Sequence, residues 1–349
     1  MSNSSKKVYI GMSGGVDSSV SAYLLKKQGY DVTGVFIRVW QPEGGECTWK
    51  EERRDAMRVC AHLDIPFITL DLRDEYKKGV VDYMFSEYAK GNVPNPDVMC
   101  NREVKFGAFW KWAKEQGADY IATGHYARNI DNQMLEGVDK NKDQSYFLWT
   151  LEKEELSHIL FPIGHLEKPE LRKIAKKAKI PVFDKKDSQG VCFIGHIDMK
   201  EFLKEHIDTE PGDVLDKEGN IIGSHDGAIL YAIGERHGFN IFKNKTDQTR
   251  LYIIKKDIEK NILVVDTEKK LDDGVDNKYI TLKNVVLRES VENIKQCRLR
   301  YRQEKVDIKN VIKDGENLKV ELVNPELYSK GQSMVFYNGE LCVGGGVMI

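Results

Sequence analysis

The stretch Gly11-Met-Ser-Gly-Gly-Val-Asp-Ser-Ser19 constrains this chain more than any other. Residues 8–11 read as a short buried strand that runs into it. Residues 18–28 read as a helix that leaves it, stopped by Gly29. A Gly/Ser turn between a strand and a helix N-terminus lets backbone N–H groups approach an anion closely, and the helix dipole favours that charge. The pattern lacks the Lys-Ser/Thr pair of one common phosphate loop and the spaced glycines of another. Asp17 beside phosphates would repel them unless it works through a cation, so Mg²⁺ is expected near it.

Strand and helix signals then alternate. Residues 32–40, 65–70 and 120–123 are apolar strand candidates. Residues 51–63 and 76–89 have helical spacing, and a further helix closes at Gly117. This alternation predicts a mostly parallel sheet covered on both faces, with ligands beyond the carboxyl ends of its strands. The Gly11–Ser18 turn and the Thr123-Gly-His-Tyr126 turn both fall there.

After Pro211 the texture changes to short alternating segments. Their turn signals are Lys217-Glu-Gly-Asn220, Asp272-Asp-Gly274, Asp314-Gly315 and Asn338-Gly339, as in small antiparallel β domains. A chain of 349 residues has room for two or three domains at about 100–200 residues each. The expected division is 1–206, 207–276 and 277–349.

Charge and cysteine usage exclude several classes. The chain has 53 Lys+Arg against 55 Asp+Glu, a net charge of −2. Nucleic acid could therefore be met only through local basic patches. One such run is 167–186, with eight basic residues against three acidic ones. No apolar run approaches the ~18 residues of a membrane span. Residues 1–7 lack the features of a secretion or organelle signal, so a cytoplasmic location is expected. The six cysteines (47, 60, 100, 192, 297 and 342) include no CxxC and no Cys/His cluster. That spacing excludes a zinc finger and a dense disulfide framework.

Two of those cysteines sit in polar surroundings. In Asn95-Pro-Asp-Val-Met-Cys-Asn-Arg-Glu-Val-Lys105, Asn95 is a helix cap and Pro96 fits the first turn. Asp97 and Cys100, three apart, would share a face. A thiol near a helix start, with Arg102 and Lys105 close by, should be partly thiolate; the plain alternative is a buried structural cysteine. Cys192, in Lys185-Lys-Asp-Ser-Gln-Gly-Val-Cys-Phe-Ile194, follows a glycine-bearing turn and opens a short apolar strand. Alone it reads as core. Paired with Cys100 and a nucleotide loop, it suits activation of an oxygen followed by its replacement with sulfur.

The first stretch resembles the PP-loop of ATP pyrophosphatases. The whole chain resembles the tRNA-specific 2-thiouridylase family through GMSGGVDSS, NPDVMCN, ATGHY, NKDQSYFL, KKDSQGVCFIG, RYRQ and GQSMVFYNGELCVGGG. The resemblance implies an α/β PP-loop domain with a parallel sheet and a tRNA-binding helical region. A small central mostly-β domain and a C-terminal antiparallel β-barrel would follow. It implies ATP bound by Gly11, Met12, Ser13, Gly14, Gly15, Val16, Asp17 and Ser18, with Ile37 and Gly124 near the adenosine. Many members read Phe-Met-Lys-Asn-Trp where this chain has Phe36-Ile-Arg-Val-Trp40, a change that leaves a backbone or apolar contact at position 37 intact.

By the same resemblance Cys192 carries sulfur as a persulfide, delivered by a cysteine desulfurase or a sulfur-relay protein. Cys100 frees that sulfur and ends in a disulfide with Cys192. Asn95, Pro96 and Asp97 face the target base, with Asp97 as general acid/base. His125, Lys142, Asp143, Gln144, Arg300, Tyr301 and Gln332 touch tRNA.

Some residues carry a second reading. Arg298, Arg300 and Arg302 alternate, so a continuous strand would line them on one face, as an RNA-facing stripe or simply a wet surface. Arg300 and Tyr301 could point the same way only where that strand twists or ends. His125 could merely cap its strand. Three rival functions remain: another PP-loop ligase or amidotransferase, an iron–sulfur site on Asp97, Cys100 and Cys192, and an RNA chaperone with a vestigial loop.

Overall fold

The computed structural model describes residues 6–42, 49–187, 198–242, 250–268 and 278–349. Cys47, Cys192 and the Asp272-Asp-Gly274 turn lie outside these residues. Five parallel strands form the first sheet: β1 (Lys7–Gly11), β2 (Asp31–Arg38), β3 (Phe67–Asp71), β4 (Tyr120–Ala122) and a later strand, Ile159–Leu160, in the order β3-β2-β1-β4 and then that strand. Val8, Ile10, Val35, Ile121 and Ala122 are fully buried, because helices cover both faces. One of these, α1 (Val16–Lys27), begins directly after the Gly/Ser turn, and α2 (Trp49–His62) supplies Ala56, Val59 and Cys60 to the same core.

The helix expected over 76–89 begins earlier, at Arg73, and its middle, Lys77–Asp82, winds as a π-helix. A second π-wound stretch, Cys100–Ala108, continues the short helix Pro96–Met99 into Phe109–Glu115. Periodicity in sequence cannot separate 3.6 from a wider winding over one or two turns. Wider turns of this kind recur at functional sites.

Between β4 and the sheet's last strand, the chain makes a hairpin, β5 (Ala127–Ile130) and β6 (Gln133–Glu136), that leaves the parallel sheet. With these labelled, the Ile159–Leu160 strand is β7. A sheet over 212–266 follows: β8 (Gly212–Leu215), β9 (Ile221–His225), β10 (Asn240–Ile241), β11 (Tyr252–Asp257) and β12 (Ile262–Asp266), ordered β10-β9-β8-β12-β11. It is not wholly antiparallel as expected, for β8 and β12 run parallel. β12 is the return strand of the β11–β12 hairpin, and it lies beside β8 in the same direction.

The C-terminal strands are β13 (Ile280–Leu287), β14 (Gln296–Arg298), β15 (Val306–Asp314), β16 (Asn317–Leu322), β17 (Ser333–Asn338) and β18 (Leu341–Met348). Their order, β13-β16-β15-β14-β17-β18, is closed by pairing of β13 with β18, which makes a barrel. Two-residue turns beginning at Gly315 and Gly339 join its hairpins, both glycines at positive φ. The hairpin β5–β6 adds to the outside of this barrel through Leu135 and Leu341. Residues 127–151 therefore pack on the C-terminal barrel although the chain places them within the first domain. Tyr146 donates to the Ser333 carbonyl at 2.9 Å, and Trp149 Nε1 donates to Ser333 Oγ at 2.9 Å. The buried Arg288 guanidinium donates to the carbonyls of Trp149 and Leu151.

Candidate active site

The turn at the carboxyl end of β1 is organised by its own hydroxyls. The Ser13 amide donates to Ser18 Oγ at 3.2 Å, the Gly15 amide to Ser13 Oγ at 3.3 Å, and Ser19 Oγ to the Gly15 carbonyl at 2.7 Å. Gly15 caps α1 without any side-chain bond, so the first-turn amides keep their capacity for a ligand. Gly14 adopts φ of 72°, and a Cβ there would lie 2.4 Å from the Glu52 carbonyl oxygen. At Gly124, beyond β4, a Cβ would lie 2.8 Å from the Ser18 amide nitrogen. The two strand-end turns expected to share a ligand are thus in direct backbone proximity. Met12 and Val16 are buried beneath the turn, and the buried Ile37 lies near the end of β2 opposite Leu70.

Asp17 is the electrostatic centre. Its Oδ1 accepts from the Tyr126 hydroxyl at 3.0 Å and from Lys168 Nζ at 2.7 Å. Lys168 also reaches Asp187 Oδ1 at 2.7 Å, and Asp187 pairs further with Arg172 at 2.9 Å and Lys142 at 2.5 Å. Hydrogen bonds from Lys142 and Lys168 outweigh the desolvation that would raise the Asp187 carboxyl, and hold it at about 2. Burial beside Asp17 pushes the Tyr126 hydroxyl far above its ordinary range, so it stays a donor.

Tyr126, Lys168 and Asp187 were not singled out from the sequence. Lys168 carried one signal: Glu167 and Glu170 form a capping box that sets Lys168 at the first position of the Lys168–Lys177 helix.

The second constellation forms as its cap predicts. Asn95 Oδ1 accepts from the amides of Asp97 and Val98 at 3.1 and 3.3 Å, with Pro96 at the helix start. Cys100 is fully buried at the beginning of the π-wound stretch, and Asp97 is half-buried. Arg102, expected beside the thiol, instead faces solvent and pairs with Glu103 at 2.6 Å. Two residues on, its side chain points away from the buried face. Asn101 Nδ2 donates to the Phe147 carbonyl at 3.2 Å, which ties this helix to the NKDQSYFL segment. From the barrel, Gln332 Nε2 donates to the carbonyls of Val93 and Pro94 at 2.7 and 3.3 Å, just before Asn95.

Three consecutive family models cover nearly the whole chain. They are a tRNA methyl transferase HUP domain over 6–196, a tRNA methyl transferase PRC-barrel domain over 200–267 and an aminomethyltransferase beta-barrel domain over 278–348. The tRNA-specific 2-thiouridylase MnmA of Shigella boydii serotype 18 is 42% identical over 363 residues, spanning 100% of this chain and 98% of that protein. Its namesake in Vibrio campbellii is 42% identical over 368 residues, spanning 99% of this chain and 97% of that protein. The one in Escherichia coli K12 is 42% identical over 363 residues, spanning 100% and 98%.

The chain belongs to the tRNA-specific 2-thiouridylase family.

For this 2-thiouridylase-family chain, the residues expected at RNA are placed unevenly. His125 is buried between Phe106 and Phe161, with Nδ1 2.7 Å from Thr123 Oγ1; burial, with a smaller push from Lys105, keeps it neutral. Asp143 is buried, taking the Gly137 and Ser145 amides and the Arg298 guanidinium. Gln144 Oε1 accepts the Tyr126 amide at 3.0 Å, and Lys142 turns to Asp187. The alternating arginine stripe does not form, because β14 ends at Arg298 and Arg302 takes φ of 62°. Arg298 points inward. Arg300 donates to the carbonyls of Ile233 and Leu327, while the Tyr301 ring sits 4.4 Å from that of Phe147. Among the described residues no helix is long and apolar enough to cross a membrane.

Proposed function

We propose that this chain is an ATP-dependent tRNA-uridine 2-sulfurtransferase acting on the wobble uridine of tRNAs of the Lys, Glu and Gln type. The uracil O2 attacks the α-phosphorus of ATP, pyrophosphate leaves, and C2 becomes electrophilic. The terminal sulfur of a persulfide on Cys192 attacks C2 and AMP leaves. The Cys100 thiolate then attacks Cys192 Sγ, leaving sulfur on the base and a Cys100–Cys192 disulfide that an external thiol must reduce. A carbonyl oxygen leaves poorly, so its conversion to an adenylate is what makes sulfur entry feasible. A base in an anticodon loop leaves its stack at small cost.

The observation that carries this reading is the shared lysine. Asp187, five residues before Cys192, and Asp17 of the phosphate turn both hold Lys168. The root of the sulfur-bearing segment is thereby fastened to the nucleotide loop. In this role the Gly11–Ser18 amides and the α1 dipole bind phosphate, Gly124 lets its turn abut Ser18 at the nucleotide, and Asp97 moves the proton at the base. Asp17 suits Mg²⁺ as a single half-buried carboxylate. Among the described residues no cluster of three metal-ligating side chains exists, so the ion would arrive on the nucleotide phosphates. Bound there, Mg²⁺ would neutralise charge on the departing pyrophosphate.

The test is thiolation in vitro with ATP, Mg²⁺, a cysteine desulfurase with cysteine, and unmodified tRNA whose anticodon begins with uridine. Nucleosides are read by mass. The expected product is 2-thiouridine, dependent on ATP and absent with Cys192→Ser. AMP formation without thiolation, unchanged in Cys192→Ser, would overturn this reading in favour of a ligase or amidotransferase. Iron in anaerobically purified protein would favour the cluster route. A methylated uridine, the chemistry named in two family models, has a different mass and would be seen directly.

A further inference from the structure

The tripeptide Lys142-Asp143-Gln144 sends three neighbouring side chains to three parts of the molecule. Lys142 reaches Asp187 at the root of the sulfur-bearing segment. Gln144 accepts the Tyr126 amide, and the Tyr126 hydroxyl holds Asp17 of the phosphate turn. Asp143 takes Arg298, the last residue of barrel strand β14, at 2.9 Å.

Arg298 is built into this junction. Its side chain is only 14% exposed, its guanidinium lies 4.9 Å over the Tyr337 ring, and its other amine is 2.8 Å from the buried Glu136 on the hairpin. Glu136 in turn takes Lys305 of the barrel at 2.8 Å. Charges this buried hold a geometry firmly, because parting one partner strands the other. Glu136 Oε1 meets the Arg298 amine as an ion pair, and Arg298 Nε has no hydrogen-bond partner among the described residues. The cluster is therefore held by charge more than by a fully satisfied network.

We propose that Arg298 is a positioning residue for the nucleotide site: through Asp143 it lets the C-terminal barrel set the 142–144 loop, and with it Tyr126, Asp17 and Asp187. This rests on the reading of the Gly11–Ser18 turn as the ATP site. It gives the barrel a task in adenylation besides any contact with RNA. A barrel displaced by bound tRNA would change how ATP is held, and by reciprocity ATP would change how tRNA is held.

The test uses the full chain with Arg298→Gln, Asp143→Asn, the double variant, and Arg298→Lys. Affinity for ATP is measured calorimetrically without tRNA, and affinity for tRNA is measured without ATP. Each single amide variant is expected to weaken ATP binding about tenfold, and Arg298→Gln should leave tRNA binding within about twofold of the parent. The double variant should be no worse than either single one, and Arg298→Lys should recover most of the loss. Loss of tRNA affinity with ATP binding intact would make Arg298 an RNA contact and overturn the proposal. So would a lowered melting temperature with both affinities unchanged, the mark of a purely structural pair. A parent chain that binds ATP yet thiolates no tRNA would refute the proposed function and leave this coupling standing.

Discussion

Lys168 Nζ lies 2.7 Å from Asp17 Oδ1 although the two residues are 151 positions apart. The same ammonium holds Asp187, which Arg172 and Lys142 also pair, so Lys168 links two carboxylates that would otherwise repel phosphate and each other. Its side chain is 12% exposed, which makes the attraction stronger than that of a surface pair.

Replacement by Lys168→Met is expected to lower tRNA-dependent AMP formation by about tenfold or more, since misplacing a reactive loop costs rate steeply. Steady-state AMP release at saturating ATP checks it. A rate equal to that of the parent chain would show that Lys168 neither positions the loop nor shields the phosphates.

At Gly124 the backbone approaches Ser18 too closely for a methyl group. Gly124→Ala must push the start of α1 or the turn after β4 aside, at a cost of about 1–3 kcal/mol. ATP affinity should fall by an order of magnitude or more while far-ultraviolet circular dichroism stays unchanged. Normal ATP affinity would mean that the two turns do not share the nucleotide.

Gln332 fastens the barrel to the backbone just ahead of Asn95. Gln332→Ala removes both bonds and should cost about 1 kcal/mol in stability. The larger effect is expected on thiolation, because the helix start that carries Asp97 and Cys100 loses its anchor. Comparing single-turnover thiolation with AMP formation checks this: thiolation should drop further than adenylation. Equal losses in both would assign Gln332 to overall docking of tRNA.

Lys256, on β11, is half-buried and donates to the Tyr231 carbonyl at 3.0 Å; desolvation lowers its ammonium to about 8. In the unfolded chain a lysine titrates near about 10.4, so between these values the unfolded state binds more protons and stability rises with pH. Below about 8 the folded protein carries the full cost of a partly desolvated charge. Lys256→Met is therefore expected to stabilise the protein at pH 7 by about 1–2 kcal/mol, less the lost hydrogen bond. That advantage should shrink towards pH 10. Thermal denaturation at pH 7 and 10 measures both arms, and a destabilised variant at pH 7 would show that the hydrogen bond dominates.

What the sequence determined is local. The Gly/Ser turn, the Asn95 cap with Pro96, the alternation that makes a parallel sheet, and the glycine turns of the barrel hairpins all follow from φ preferences, capping and periodicity within a few residues. Tertiary structure decided the rest. The β5–β6 hairpin reads as part of the first domain yet extends the barrel's sheet, and β14 stops at Arg298, so the apparent arginine stripe never forms: Arg298 turns inward while Arg302 is exposed. Asp143 meets Arg298 across 155 positions. Which of the chain's many carboxylates meets which cation depends on where distant elements pack, and burial then raises the cost of any other pairing. Charge in a sequence shows that partners must exist, and only the fold selects them.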